Sequence, residues 1–195
     1  MGISPGVMLA HGSAGSSDST GRLGSASVAD VLVRGYRSGD APGIVRVSRD
    51  SGAYYERIAP ELFRSPDTEG FVEFLEADTE WREQPANLAL VAEVNGEVAG
   101  YLEASIQDPL GSARWQTQRD LGAMRLFIGY VGTAERFRRR GVATQLVEAA
   151  EEWGRPRGAV VAICDTFLGS DLSAPFWEER MGYARQAIIL RKPLT

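Results

Sequence analysis

A chain of 195 residues, 44% hydrophobic and 24% charged, lies in the range of one globular domain and carries enough apolar residues for a sizeable core. Its 21 basic against 26 acidic side chains leave a formal net charge of -5, which excludes general nucleic-acid binding and docking on an anionic membrane, since both need a basic footprint. A single cysteine, Cys164, and a single histidine, His11, exclude an intramolecular disulfide and a usual zinc site. No apolar run reaches the ~18 residues that span a bilayer, and no basic-then-apolar leader opens the sequence, so a cytoplasmic protein is expected.

Residues 1–26 are rich in Gly and Ser without apolar periodicity and are expected to form a disordered tail; His11 falls inside it. The domain is expected over 27–195. Val28, Val31, Leu32 and Val33 mark a first strand, and Ser38-Gly39-Asp40 a turn that can cap a helix over 41–58. A second helix is predicted over 67–80. Residues 88–94 and 97–104 then alternate as strands around Asn95-Gly96, the pair that a type I′ hairpin turn prefers.

Residues 107–122 read as a long loop. A long apolar strand over 124–133 contains Gly129 and Gly132, where a ligand or a second backbone can come close. A helix over 141–153, a buried strand over 159–165, a short helix over 173–181 and a last strand over 183–191 complete the predicted order. Between Asp40 and Gln84 eleven acids face five arginines, so this helical stretch carries a local charge of -6.

Chemistry concentrates where the long strand meets its helix, over Arg136 to Thr144. Free N–H groups and the positive dipole end of the helix converge there, Gly141 and Ala143 leave the main chain bare, and Arg138, Arg139 and Arg140 add charge-assisted contacts. Arginines at a helix start oppose the dipole, so their clustering calls for an external anion, a nucleotide-like diphosphate; a solvated basic loop is the plainer alternative.

Arg138-x-x-Gly141-x-Ala143 after a long strand resembles the Q/R-x-x-G-x-G/A signature of the GNAT acetyltransferase superfamily. Phe176-Trp177-Glu178-Glu179-Arg180-Met181-Gly182-Tyr183 is similar to the same family's F-Y-x-x-x-G-F segment. The resemblance implies an α/β fold with a mixed central sheet of about six or seven strands flanked by helices, splayed between the strands ending near Thr133 and Asp165. It implies acetyl-coenzyme A as cosubstrate, and the scarcity of Cys and His adds the expectation of no metal. The main chain of Val131 and Thr133 would pair with the pantetheine arm, and Arg138, Arg139, Arg140, Gly141, Val142, Ala143 and Thr144 would hold the pyrophosphate. Ser170 stands where the family often has a cofactor-contacting Asn, and Trp177 where it commonly has a proton-donating Tyr.

The acceptor implied is a primary amine of a small molecule or peptide, cationic if the acidic helices border its site, with a homodimer as a candidate assembly. For the general base, Glu103 and Asp165 are the candidates. Two other functions fit part of the pattern. One is a non-catalytic acyl-coenzyme A sensor, favoured by Trp177. The other is an NAD-dependent oxidoreductase, favoured by the strand, Gly-x-Ala turn, helix and strand ending in Asp165.

Overall fold

The computed structural model describes residues 31–194. Five strands form one sheet in the order β1-β2-β3-β4-β5: β1 (Val31–Gly35), β2 (Asn87–Val94), β3 (Glu97–Gln107), β4 (Arg125–Thr133) and β5 (Val161–Cys164). Strands β1 to β4 pair antiparallel and β5 joins β4 in parallel. The crossover between the last two is the helix α4 (Val142–Gly154). Three of the four strand pairings are therefore antiparallel, which corrects the dinucleotide-binding oxidoreductase reading: that fold needs a run of parallel strands.

The alternation of β2 divides the core. Leu90, Ala92 and Val94 face one side, where they pack with Leu102, Leu146 and Val147 beneath α4. Val91, on the opposite face, meets Ala41, Ile44, Leu75 and Tyr101 beneath α1 (Ala41–Ile58) and α2 (Phe71–Ala77). The sheet is covered on both faces. Helix α4 approaches closely because Gly100 has no side chain: a Cβ there would stand 2.6 Å from Val142 Cγ1 and 2.9 Å from the Gly132 carbonyl.

Helix α1 begins at Ala41 as the turn predicts, but Asp40 makes no side-chain cap. Its carboxylate instead accepts from both Arg34 guanidinium nitrogens at 2.7 and 2.8 Å and from the Arg37 N–H at 2.7 Å. The hairpin forms at Asn95-Gly96, both with positive φ, at 53° and 77°. The helix expected over 67–80 is broken at Asp78 into α2 and α3 (Thr79–Glu83).

The sheet holds five strands among the described residues, not six or seven, and the strand expected over 183–191 does not form. Strand β5 offers only the four residues Val161–Cys164 as a ladder. Gly182 turns the chain at φ 76°, and Tyr183 is tied back by its N–H to the Trp177 carbonyl and by its hydroxyl to Glu151. Beyond it Ile188, Ile189 and Leu190 are consecutive rather than alternating, and all are exposed. Val28, His11 and the expected 1–26 tail lie outside the described residues. No helix among the described residues is long and apolar enough to cross a membrane.

Candidate functional site

Strand β4 is irregular where it matters. Glu103 of β3 pairs with Tyr130, but Ala104 pairs with Ile128, so Gly129 is an extra residue that bulges β4. On the other side, the parallel pairing with β5 runs from Arg125↔Val161 to Ile128↔Cys164, so Gly129–Thr133 extend beyond it. Val131 and Thr133 are buried in this overhanging stretch, and the Thr133 hydroxyl has no hydrogen-bond partner.

The chain leaves β4 through a 3-10 turn (Glu135–Phe137) and enters α4 at Gly141, its N-cap, in the left-handed region at φ 79°. No side chain caps the helix, so the N–H groups of its first turn lack the partner that a Ser or Asp would give. A Cβ at Gly141 would meet only Gln145 Nε2, at 3.9 Å. Val142, Ala143 and Thr144 are buried behind this open approach. Bare backbone, a dipole end and open space thus coincide at one point, the arrangement an anion requires.

The three arginines divide. Arg139, with φ 62°, and Arg140 are exposed at the turn, and Arg140 lies over the Phe137 ring at 5.6 Å. Arg138 is instead turned inward: Nη2 donates to the Asp50 carbonyl at 3.2 Å, Nη1 to Glu135 at 3.4 Å, and its guanidinium sits 5.8 Å from the Tyr54 ring. It anchors the turn to α1. Ser170 is likewise occupied, its hydroxyl accepting from the Ser173 N–H at 3.0 Å and the Leu172 N–H at 3.3 Å, with the Tyr54 hydroxyl at 2.9 Å. Trp177 is buried with Phe176 and Tyr183, ring centroids 5.1 and 4.7 Å away, and its indole N–H has no partner.

Of the two candidate bases, Glu103 lines a cavity. That cavity, about 490 Å³, lies between α1, the α2–α3 segment and the β3–β4 pair. Tyr101 donates its phenol proton to Glu103 Oε1 at 2.6 Å. Burial pushes the Glu103 carboxyl above the usual carboxylate range, the negative charge of Asp78 adds to this, and the Tyr101 hydrogen bond and Arg82 oppose it. Asp165 is exposed just past the end of β5 and does not line the cavity.

The side chains that sequence reasoning missed are Tyr101, Tyr130, Phe71, Phe74 and Trp81 on the same wall. Tyr101 was within reach, because residues two apart on a strand share a face. Tyr130 was not, since its place opposite Glu103 depends on the Gly129 bulge. Among the described residues no group of three or more His, Cys, Asp or Glu could hold a metal.

Residues 53–183 match the family model of the GNAT acetyltransferase family. No curated protein matches the sequence. Among solved structures, a transcriptional regulator from Bacillus halodurans C-125 is 21% identical with a TM-score of 0.63, covering 85% of this chain and 100% of that one. Glucosamine-6-phosphate N-acetyltransferase from Arabidopsis thaliana is 17% identical with a TM-score of 0.56, covering 85% and 99%. AAC(6')-Iy, in complex with the bisubstrate analogue CoA-S-monomethyl-acetylneamine, is 17% identical with a TM-score of 0.56, covering 84% and 99%. At these identities the likeness is one of fold.

Proposed function

The chain belongs to the GNAT acetyltransferase family, and within it we propose an N-acetyltransferase that moves an acetyl group from acetyl-coenzyme A to a primary amine by direct attack. The observation that carries this reading is the start of α4, where an uncapped first turn, the left-handed Gly141 and open space in front of it meet. These features fit a pyrophosphate: the N–H groups of Gly141, Val142, Ala143 and Thr144 would bind it, with Arg139 and Arg140 adding charge from the exposed side. Arg138, engaged at Asp50, positions the turn. The main chain of Val131 and Thr133, past the last β5 pair, would hold the pantetheine arm.

Acetyl-coenzyme A supplies the acyl group and leaves as the thiol. The amine nitrogen forms its new bond to the carbonyl carbon as the carbon–sulfur bond breaks. Glu103, directly or through one water, takes the proton that the nitrogen loses. A thiolate of ordinary pKa, about 8.5, is a tolerable leaving group, so the sulfur can be protonated from water without a Tyr at position 177. Asp165 is left without a role in proton transfer. The stretch from Asp40 to Gln84, which supplies one wall of this cavity, carries a local charge of -6 and favours a cationic acceptor.

The experiment that tests this reading is thiol release from acetyl-coenzyme A across amines, polyamines, sugar amines and peptide N-termini. Release with at least one amine, slowed by about 10²-fold or more in Glu103→Gln, is the expected result. Binding of acetyl-coenzyme A with no release for any amine would favour the second reading, an acyl-coenzyme A sensor, which the buried and unpaired indole of Trp177 supports.

A further inference from the structure

We propose that the acceptor is a monoamine carried on an apolar, ring-sized body, an arylalkylamine in chemical class, bound in the cavity beside Glu103; this rests on the acetyltransferase reading of the same site. Six of the fourteen residues that line the cavity carry rings: Phe71, Phe74, Trp81, Tyr101, Phe127 and Tyr130. Core packing does not explain them all, because Phe74 is 64% exposed at the surface of α2. An apolar body on the ligand would cover this surface and gain its burial free energy.

Charge narrows the class further. Glu103 is the one acidic side chain among the residues that line the cavity, which include no Arg or Lys. Arg82, close by on α3, is committed elsewhere: it donates to the Leu75 carbonyl at 2.6 Å and lies 4.2 Å above the Tyr36 ring. A phosphate or carboxylate on the acceptor would face the Glu103 carboxyl with no Arg or Lys in the cavity lining to pair it. A polyamine would desolvate further ammonium groups inside a cavity whose lining holds no second carboxylate. One carboxylate among rings selects one positive charge on an apolar frame.

The test is steady-state kinetics at saturating acetyl-coenzyme A with 2-phenylethylamine, tryptamine, spermidine, neamine and glucosamine 6-phosphate, alongside calorimetric binding of 2-phenylethylamine without turnover. The kcat/KM for the two arylalkylamines is expected to exceed that of the other three by about 100-fold or more, as loss of a ring's burial or an unpaired charge would produce. Phe74→Ser, at an exposed position where folding is safe, should raise the KM for 2-phenylethylamine severalfold and leave the KM for acetyl-coenzyme A unchanged. Turnover confined to neamine, spermidine or glucosamine 6-phosphate would overturn the inference while upholding the acetyltransferase. Binding of 2-phenylethylamine in a protein that never releases thiol would uphold the site and overturn the acetyltransferase. The absence of both binding and turnover of the arylalkylamines would overturn the inference.

Discussion

Tyr101 donates a 2.6 Å hydrogen bond to Glu103 two residues further along the same strand, coupling the protonation of the candidate base to a neighbouring phenol. Burial raises the Glu103 pKa and the Tyr101 bond holds it down. A base must be ionised, so the rate should rise with pH through the raised Glu103 value. Tyr101→Phe removes the restraining bond and should move this acidic limb to higher pH. Glu103→Gln should lower kcat by about 10²- to 10⁴-fold, the usual worth of general base catalysis, and abolish the limb. The pH–rate profiles of the three proteins check this.

The same carboxyl should leave a mark on folding. A carboxyl whose folded pKa is raised contributes stability that is full below its unfolded value and is lost as pH rises through the folded value. Between those two values wild-type stability should fall with pH, and Glu103→Gln should flatten the fall. Urea melts at several pH values read this slope directly.

Gly132 packs where β4 meets α1: a Cβ there would stand 2.5 Å from the Tyr130 hydroxyl and 2.7 Å from Val47 Cγ1. Gly132→Ala should therefore destabilise by about 1–3 kcal/mol through overpacking. It should also displace Tyr130 from the cavity wall and raise the acceptor KM. Gly129→Ala, whose Cβ would meet only Phe127 carbons at 3.3 and 3.7 Å, should cost less. Thermal melts of the pair give the comparison.

Arg34 links β1 to the start of α1 and to β2, pairing with both Asp40 and Glu93. The Arg34 and Asp40 side chains are only 10% and 8% exposed. Burial alone would raise the Asp40 pKa, but the Arg34 hydrogen bonds and the Arg37 N–H outweigh it and hold the carboxyl below its ordinary value. With a depressed folded pKa, Asp40 contributes stability above its unfolded value and loses it as pH falls through the folded one. Arg34→Met strands both carboxylates and should destabilise by about 3–5 kcal/mol at neutral pH, with part of the loss recovered in acid. Denaturant titrations at neutral and acidic pH would show it.

Local signals carried much of this architecture. Asn95-Gly96 fixes the hairpin because both residues tolerate positive φ, and the helical spacing of Ile44, Val47 and Tyr54, with the small Ser51 between them, fixes the buried face of α1. The uncapped glycine turn into α4 was equally legible. What stayed hidden depends on partners far along the chain. The Gly129 bulge that sets Tyr130 opposite Glu103 exists only in the pairing of two strands. The turn of Arg138 toward Asp50 and the occupation of the Ser170 hydroxyl come from contacts with α1 and with the 172–173 backbone. The unformed strand over 183–191 has the same origin, since strand propensity without a long enough neighbour makes no ladder.

Trp177 occupies a position between Phe176 and Tyr183 with its indole N–H unpaired. Trp177→Tyr removes ring volume from a packed site and should lower stability by about 1–3 kcal/mol. Its turnover should equal or modestly exceed that of the wild type, because the thiolate leaves without an enzyme acid. Turnover seen only in Trp177→Tyr would mark the wild type as a sensor. Rate measurements over pH 6 to 10 with a reactive amine, a range of about four units chosen to bracket the thiol pKa near 8.5, decide between them.

Binding of acetyl-coenzyme A at the glycine turn into α4 is read by calorimetry of acetyl-coenzyme A with wild type, Gly141→Ala and Gly141→Glu. Alanine at φ 79° should cost about 1–2 kcal/mol in stability and weaken binding modestly. Glutamate adds to that strain a negative charge where phosphate must meet the backbone, and a folded Gly141→Glu protein should bind at least about 100-fold more weakly. Unchanged affinity in a folded Gly141→Glu protein would contradict the account.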